Sequence, residues 1–119
     1  MNRAYVLTRS AQADLQEIIR YTQREWGSGQ CRAYIEWLEA SATELTLGQG
    51  LFRQRDDLLP GLRVRLAGHH YIFCLPQTEG PAVILAVLHE RIDLIRRLKE
   101  RLDGADAGGT TRQIGRSLR

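Results

Sequence analysis

The sequence predicts an α+β domain in which two helices, folded as a hairpin, pack on a small, mostly antiparallel four-stranded sheet. Two segments with helical periodicity are separated by about two residues, and helices joined so tightly fold back on each other. Three later runs are short, rich in apolar residues and joined by short loops, which is typical of an antiparallel meander. The predicted order is therefore β-α-α-β-β-β-α, with the helices on one face of the sheet.

Length and composition are those of one ordinary domain. The chain has 119 residues, of which 43% are hydrophobic and 26% charged, enough to bury one core. The longest apolar run, residues 82–88, is far shorter than the roughly 20 residues that span a bilayer. The first apolar stretch is too short for a signal peptide, so we expect a cytoplasmic protein. Cys31 and Cys74 form no CxxC pair, and we expect both to be reduced and buried.

The charge balance is mildly basic. The formal net charge is +3, and Lys99 is the only lysine among 17 basic residues. Arginine forks suit carboxylates and phosphates, so charge alone gives a modest indication of nucleic-acid contact.

The first strand and helix are predicted between residues 5 and 26. Tyr5–Leu7 is a short β-prone run. A helix follows, with Thr8 or Ser10 as its N-terminal cap and Gly27 as its C-terminal stop. Its inward positions recur at spacings of three and four: Ala11, Leu15, Ile18, Ile19, Thr22 and Trp26.

The second helix is predicted from about Gly29 to Leu47, ending at the glycines that follow. Its stripe consists of Tyr34, Trp37, Leu38, Ser41 and Leu45. We expect Trp37 and Leu38 to lie in the core between the helices and the sheet.

The meander and the last helix complete the predicted domain. After a loop at 51–60, residues 62–66 alternate between apolar side chains and Arg63 and Arg65, which predicts a strand with one core face and one cationic face. The runs 70–75 and 82–88 are apolar on both faces, as in central strands. A last helix carries Ile92, Ile95, Leu98 and Leu102. We place the domain at 1–103 and a flexible basic tail at 104–119.

Four short signatures occur in order along the chain. They are Tyr5-Val6-Leu7-Thr8 with Ala11, Ala13, Asp14 and Leu15; Tyr21-Thr22 with Trp26-Gly27 and Tyr34; Leu59-Pro60-Gly61-Leu62-Arg63; and Val87-Leu88-His89-Glu90-Arg91-Ile92-Asp93. In this order and spacing they resemble the ParE toxins of the RelE/ParE superfamily of bacterial toxin–antitoxin systems. The resemblance covers about residues 4–98.

The resemblance implies a fold and a function. The fold is the RelE/ParE-like two-layer domain. The implied function is a toxin that binds DNA gyrase, favours cleaved DNA–gyrase complexes and so blocks replication, without a catalytic site of its own. The implied partner is a ParD-like ribbon-helix-helix antitoxin that wraps and neutralises the toxin. DNA is reached only through the antitoxin or gyrase complex, and no cofactor, metal or membrane is implied.

The candidates for contact with the target cluster at the end of the third meander strand. They are His89, Arg91, Asp93 and Arg96. The alternative for Arg91 is a weak surface pair with Glu90 or Asp93. His89 and Asp93 are four residues apart and bind a metal only if both are helical and His69 or His70 supplies a third ligand; otherwise they cap or pack.

The candidates for antitoxin contact lie on the hairpin and on the first meander strand. They are Leu15, Ile18, Trp26, Tyr34, Arg63 and Arg65. An antitoxin segment that folds on binding needs apolar anchors and a free strand edge, which we expect along residues 62–66. Arg63 and Arg65 then face carboxylates of the antitoxin.

A second functional class is a ribosome-dependent mRNA endonuclease of the RelE type. His69 and His70, together with Arg63 and Arg65, would form a cationic surface suited to acid–base chemistry on RNA. The sequence departs from the RelE set, which resembles two lysines, two arginines and a C-terminal tyrosine: its one lysine lies far along the chain, and Tyr71 is its last tyrosine. Arginine does not exchange protons near neutral pH, so the sequence favours binding over catalysis.

Overall fold

The computed structural model describes the backbone of residues 4–107 and the side chains of residues 4–103. Its elements are β1 (Tyr5–Leu7), α1 (Arg9–Trp26), α2 (Ser28–Thr46), β2 (Arg53–Gln54), β3 (Arg63–Ala67), β4 (His70–Leu75), β5 (Ala82–His89) and α3 (Leu94–Ala107). None of the described helices is long and apolar enough to cross a membrane.

The five strands form one sheet in the order β1-β5-β4-β3-β2. β1 runs parallel to β5, from Tyr5 opposite Ala82 to Leu7 opposite Ile84, and the other neighbours are antiparallel. The predicted α+β class is confirmed, with one strand more than expected. The extra strand, β2, has two residues, too few to show a period of two, so no pattern distinguished it from loop. Because β2 pairs with Arg63 and Val64, the edge predicted to be free is partly covered.

Each face of the sheet has its own core. Ile72, Cys74 and Ile84 lie on the face that packs against the hairpin, whereas Phe73 and Leu75 lie on the other. A bulge at Leu85, between the pairs Cys74–Ile84 and Phe73–Ala86, preserves this division along β5. The last helix packs on the second face, where Leu98 is fully buried. The expectation that all helices share one face is therefore wrong, because both faces of the central strands are apolar and each needs a cover.

The cationic face of β3 differs most from its prediction, because it points towards the hairpin. The Arg63 guanidinium donates to the carbonyls of Leu45 at 2.9 Å and Thr46 at 3.0 Å, at the C-terminus of α2. Arg65 donates to the Glu44 carboxylate at 2.7 Å. These arginines therefore satisfy and neutralise the end of a helix rather than forming a free surface.

The hairpin is set by short-range contacts at its ends. The Thr8 hydroxyl accepts the Ala11 N–H at 3.0 Å, which confirms Thr8 as a cap of α1. Gly27, at φ +87°, is the single residue between the helices. Leu38 is 2% exposed as predicted, but Trp37 is 54% exposed, so its predicted place in the core is wrong.

The predicted tail at 104–119 falls only partly within the structure. Residues 104–107 continue α3, and residues 108–119 lie outside the described residues. Cys31 and Cys74 are both free and buried, as expected.

Replacing Arg63 by methionine (Arg63→Met) tests its structural role. The methionine side chain keeps an apolar stem but leaves the Leu45 and Thr46 carbonyls without their donor, so we expect a loss of about 1–2 kcal/mol in the free energy of unfolding. Urea denaturation measures it. The control is Arg32→Ala, at an exposed position of α2, with an expected change within about 0.5 kcal/mol. An R63M protein as stable as the parent would contradict the assignment.

Candidate functional site

A groove of about 1200 Å³ opens between the hairpin, the end of β5 and the start of α3. It lies where β5 extends beyond β1: among the described residues, β1 covers only Ala82 to Ile84 of that strand. We call it the sheet-end groove. Its lining includes Asp14, Ile18, Tyr21, Trp26, Tyr34, Trp37, His69, His70, Val87, His89, Arg91, Arg97 and Arg101.

One carboxylate joins three elements at this groove. Asp14 of α1 accepts the Val87 N–H at 3.0 Å, on the part of β5 that β1 does not reach. It also accepts two bonds from the Arg101 guanidinium of α3, at 2.6 and 3.1 Å. Both side chains are less than a fifth exposed, so this is a largely desolvated, bidentate ion pair.

Sequence reasoning gave Asp14 and Arg101 no role, although a signal existed. Asp14 falls within the apolar stripe of α1, between Ala11 and Ile18, and Arg101 falls between two leucines of α3. A charged residue on the buried side of an amphipathic helix needs a partner.

Tyr34 holds the floor of the groove. Its hydroxyl accepts the His69 backbone N–H at 3.0 Å and lies 2.6 Å from Nδ1 of His70. The hydroxyl therefore bonds both to the backbone of the β3–β4 turn and to the imidazole of His70. The ring packs against Gly68, where an added Cβ would lie 2.6 Å from it, and Gly68 has φ +62°. Only glycine fits this turn.

Three imidazoles meet above Tyr34. The rings of His70 and His89 are 5.2 Å apart between centroids, and those of His69 and His89 are 6.2 Å apart. Burial lowers the pKa of His70 to about 4, aided by the charges of His89 and His69, so His70 is neutral at pH 7. The hydrogen bond from His69 lowers the pKa of the Glu90 carboxyl. The floor of the groove is therefore polar and uncharged at His70.

The candidate target residues have different local roles. Nδ1 of His89 accepts the Arg91 N–H at 3.1 Å, and Asp93 accepts the Arg96 N–H at 3.2 Å where α3 begins. The Asp93 contact caps α3, the His89 contact lies in the turn after β5, and the two residues do not share a helix. Within the described residues no group of three potential ligands has the geometry of a metal site. The Arg91 side chain is exposed and, in the same part of the chain, forms no ion pair.

The Asp93–Arg96 contact is a weak surface pair. Its closest side-chain distance is 3.7 Å, and both side chains are more than half exposed.

The candidate antitoxin residues divide into three groups. Trp26 and Tyr34 line the groove, with Trp26 63% exposed. Ile18 also borders the groove but is largely buried in the core, on which Leu15 packs. Arg63 and Arg65 are bound to the end of α2, so the cationic surface expected with His69 and His70 does not form.

Arg97 lines the groove and was given no role from the sequence. Tyr21 and Trp37 also line it; they belong to the aromatic set of the hairpin, whose partly exposed members the sequence offers to the antitoxin. Tyr21 and Trp37 are each more than half exposed. Helical periodicity assigned Trp37 to the core because it lies one position from Leu38, and a stripe is blurred by about one residue.

The chain matches known proteins over most of its length. Residues 5–94 match the family model described as the ParE toxin of the type II toxin–antitoxin system, parDE. The chain is 52% identical over 101 residues to Toxin ParE of Escherichia coli, covering 85% of this chain and 98% of that protein. It is 34% identical over 98 residues to Toxin ParE1 of Mycobacterium tuberculosis, covering 82% and 100%.

A solved structure has the same fold. It is titled as the chromosomal ParDE toxin–antitoxin system from P. aeruginosa and superposes with a TM-score of 0.58 at 19% identity. The match covers 72% of this chain and 94% of that one.

Asp14→Ala tests the contact between α1, β5 and α3. It leaves Arg101 and the Val87 N–H without their acceptor, so we expect the free energy of unfolding to fall by about 2–3 kcal/mol. Asp14→Asn keeps an oxygen that can accept the Val87 N–H, so the stability of this variant should lie between those of the parent and D14A. Glu17→Ala, one turn further along and exposed, is the matched control. Equal stabilities of D14A and E17A would contradict the assignment.

His70→Asn tests the neutral imidazole. Since folding lowers the pKa of His70 from 6.5 to about 4, the unfolded chain binds a proton there that the native protein does not. Stability contributed by this group is therefore complete above pH 6.5 and is lost as the pH falls towards 4. Allowing for the solvent screening of a half-buried group, we expect a loss of about 1–2 kcal/mol.

The measurement is urea unfolding of both proteins at pH 7.5 and pH 5. The asparagine amide of H70N retains an acceptor for the Tyr34 hydroxyl but does not titrate, so the variant should lose less stability on acidification. The same loss in both proteins would refute the assignment to His70.

Proposed function

This chain belongs to the family of ParE toxins of type II toxin–antitoxin systems, and we propose that it acts as an inhibitor of DNA gyrase, by binding and without a reaction of its own. Arg91 supports this proposal most directly. Its backbone is held by His89, and its guanidinium is exposed at the rim of the groove without an ion pair among the described residues. An exposed guanidinium without an ion pair among the described residues is suited to bind a carboxylate or phosphate of a target.

The partner that we propose is a ParD-like ribbon-helix-helix antitoxin. The solved relative from P. aeruginosa is itself titled as a ParDE system. In this chain, Tyr21, Trp26 and Trp37 are each more than half exposed along one groove, a large aromatic area for a monomer to leave open. An antitoxin segment that folds on binding would cover this area.

The structure changes which residues we propose for the antitoxin. Arg63 and Arg65 no longer qualify as partners of its carboxylates, because α2 already uses both guanidiniums. Trp26 and Tyr34 remain, and Trp37 and Tyr21 join them. The ribonuclease alternative loses support for the same reason, since its proposed cations are bound at the end of α2 and not to His69 or His70.

A gyrase assay with purified protein and ATP tests the function. We expect linear DNA to accumulate with dose and to disappear when the antitoxin is added. Arg91→Ala should reduce cleavage about tenfold or more, because it removes the proposed target contact, while antitoxin affinity stays within about threefold. Arg32→Ala is the control on an exposed part of α2 outside the groove. Absence of cleavage with folded protein would contradict gyrase inhibition; full cleavage by R91A would exclude Arg91.

A further inference from the structure

The exposed apolar lining of the sheet-end groove consists mainly of rings. Tyr21, Trp26 and Trp37 are each more than half exposed. Of the aliphatic lining residues, Ile18, Val87 and Leu88 are each less than a tenth exposed, and Ile92 is half-buried. Trp37 is held by a T-shaped contact with Tyr34, at 5.9 Å between centroids and 84° between planes. A ligand in this groove therefore meets positioned aromatic surface.

The charged groups of the groove leave a positive surplus. Among the described residues, neither Arg91 nor Arg97 has a carboxylate within 4.0 Å, and both are exposed. The carboxylate of Asp14 is taken by Arg101. Glu17 lies 3.5 Å from Arg20. Two guanidiniums without an ion pair, those of Arg91 before α3 and Arg97 on α3, therefore line the groove, with the exposed Glu90 next to Arg91 as a further nearby carboxylate.

Exposed rings and guanidiniums without an ion pair in one groove suit a polyanion that carries planar groups. Bases stack on aromatic side chains with little regard to sequence, and the backbone is held by cations. An acidic peptide also satisfies the cations and can cover the rings, as we propose for the antitoxin, whereas a nucleic acid additionally stacks a base on each ring.

We propose that the sheet-end groove binds single-stranded DNA, with bases stacked on Tyr21, Trp26 and Trp37 and phosphates on Arg91 and Arg97. The choice of DNA over RNA rests on the proposed function, which brings the toxin to gyrase complexes that contain cleaved DNA. The antitoxin is proposed to cover the same rings, so antitoxin and DNA exclude each other. The toxin itself, and not only its partners, then contacts DNA.

The two tryptophans of the chain make the groove observable. Trp26 and Trp37 are the only tryptophans, and both line it, so tryptophan fluorescence reports on this site alone. The full-length protein is titrated with an oligothymidylate of about eight nucleotides, within the site sizes of single-strand binders. We expect saturable quenching. The logarithm of the association constant, plotted against the logarithm of the salt concentration, should have a slope of about −1.4 for two phosphate contacts.

Variants locate the binding. Arg91→Ala and Arg97→Ala should each weaken binding about three- to tenfold and make the salt slope shallower by about 0.7. Arg32→Ala, which removes the same charge outside the groove, should leave both unchanged. All three positions are exposed, and circular dichroism verifies that the fold is retained.

Three results would overturn the proposal. The first is no quenching by DNA at low salt. The second is equal weakening in R91A and R32A, which would mean general attraction to a basic protein. The third is tighter binding of oligouridylate than of oligothymidylate, which would mean an RNA site. Gyrase is absent from this assay, so a failure of the protein to bind DNA would not contradict gyrase inhibition. Conversely, a protein that binds DNA but does not promote cleavage by gyrase would refute only the proposed function.

The last test uses the complex of toxin and antitoxin. Toxin already bound to it should show no quenching of Trp26 and Trp37 by DNA, whereas quenching as strong as in the free toxin would contradict the shared surface.

Discussion

The difference in length between β1 and β5 is the constraint on which the rest of this structure depends. β1 ends at Leu7, opposite Ile84, while β5 continues to His89. Thr8 ends the pairing by donating its hydroxyl to the Leu85 carbonyl and capping α1 at the same time. Beyond that point the backbone of β5 needs other partners, since an unpaired N–H in a partly buried place is costly. The Asp14 carboxylate serves as one.

That single acceptor has consequences for the shape of the site. A carboxylate drawn into the sheet edge needs a cation, and Arg101 supplies it from α3, across the edge from the opposite face. The helix that covers the second core is thereby tied to the hairpin that covers the first. The space left between them is the sheet-end groove. The groove is therefore a product of strand length and charge pairing rather than of any one loop.

The arginines of the domain show what sequence patterns do not predict. Alternation placed Arg63 and Arg65 correctly on the face opposite the apolar residues of β3, but it does not say what covers that face. The end of α2 covers it, and its carbonyls and Glu44 take both guanidiniums. Arg91 has the same side chain, lies between β5 and α3, and forms no ion pair among the described residues. Charge type is readable from sequence, whereas the partner of a charge is set by contacts distant in the chain.

The sequence by itself determined the order of the long elements, the α+β class, the Thr8 cap and the turn at Gly27, because these follow from local periodicity and backbone preference. Its motifs also identified the family. Only the tertiary structure decided that Trp37 faces solvent while Leu38 is buried, that α3 takes the second face, and that Asp14 and Arg101 meet across 87 positions of the chain. The physical reason is that burial and charge pairing depend on which surfaces come into contact. Because β1 has only three residues, it leaves the end of β5 open to contact with Asp14.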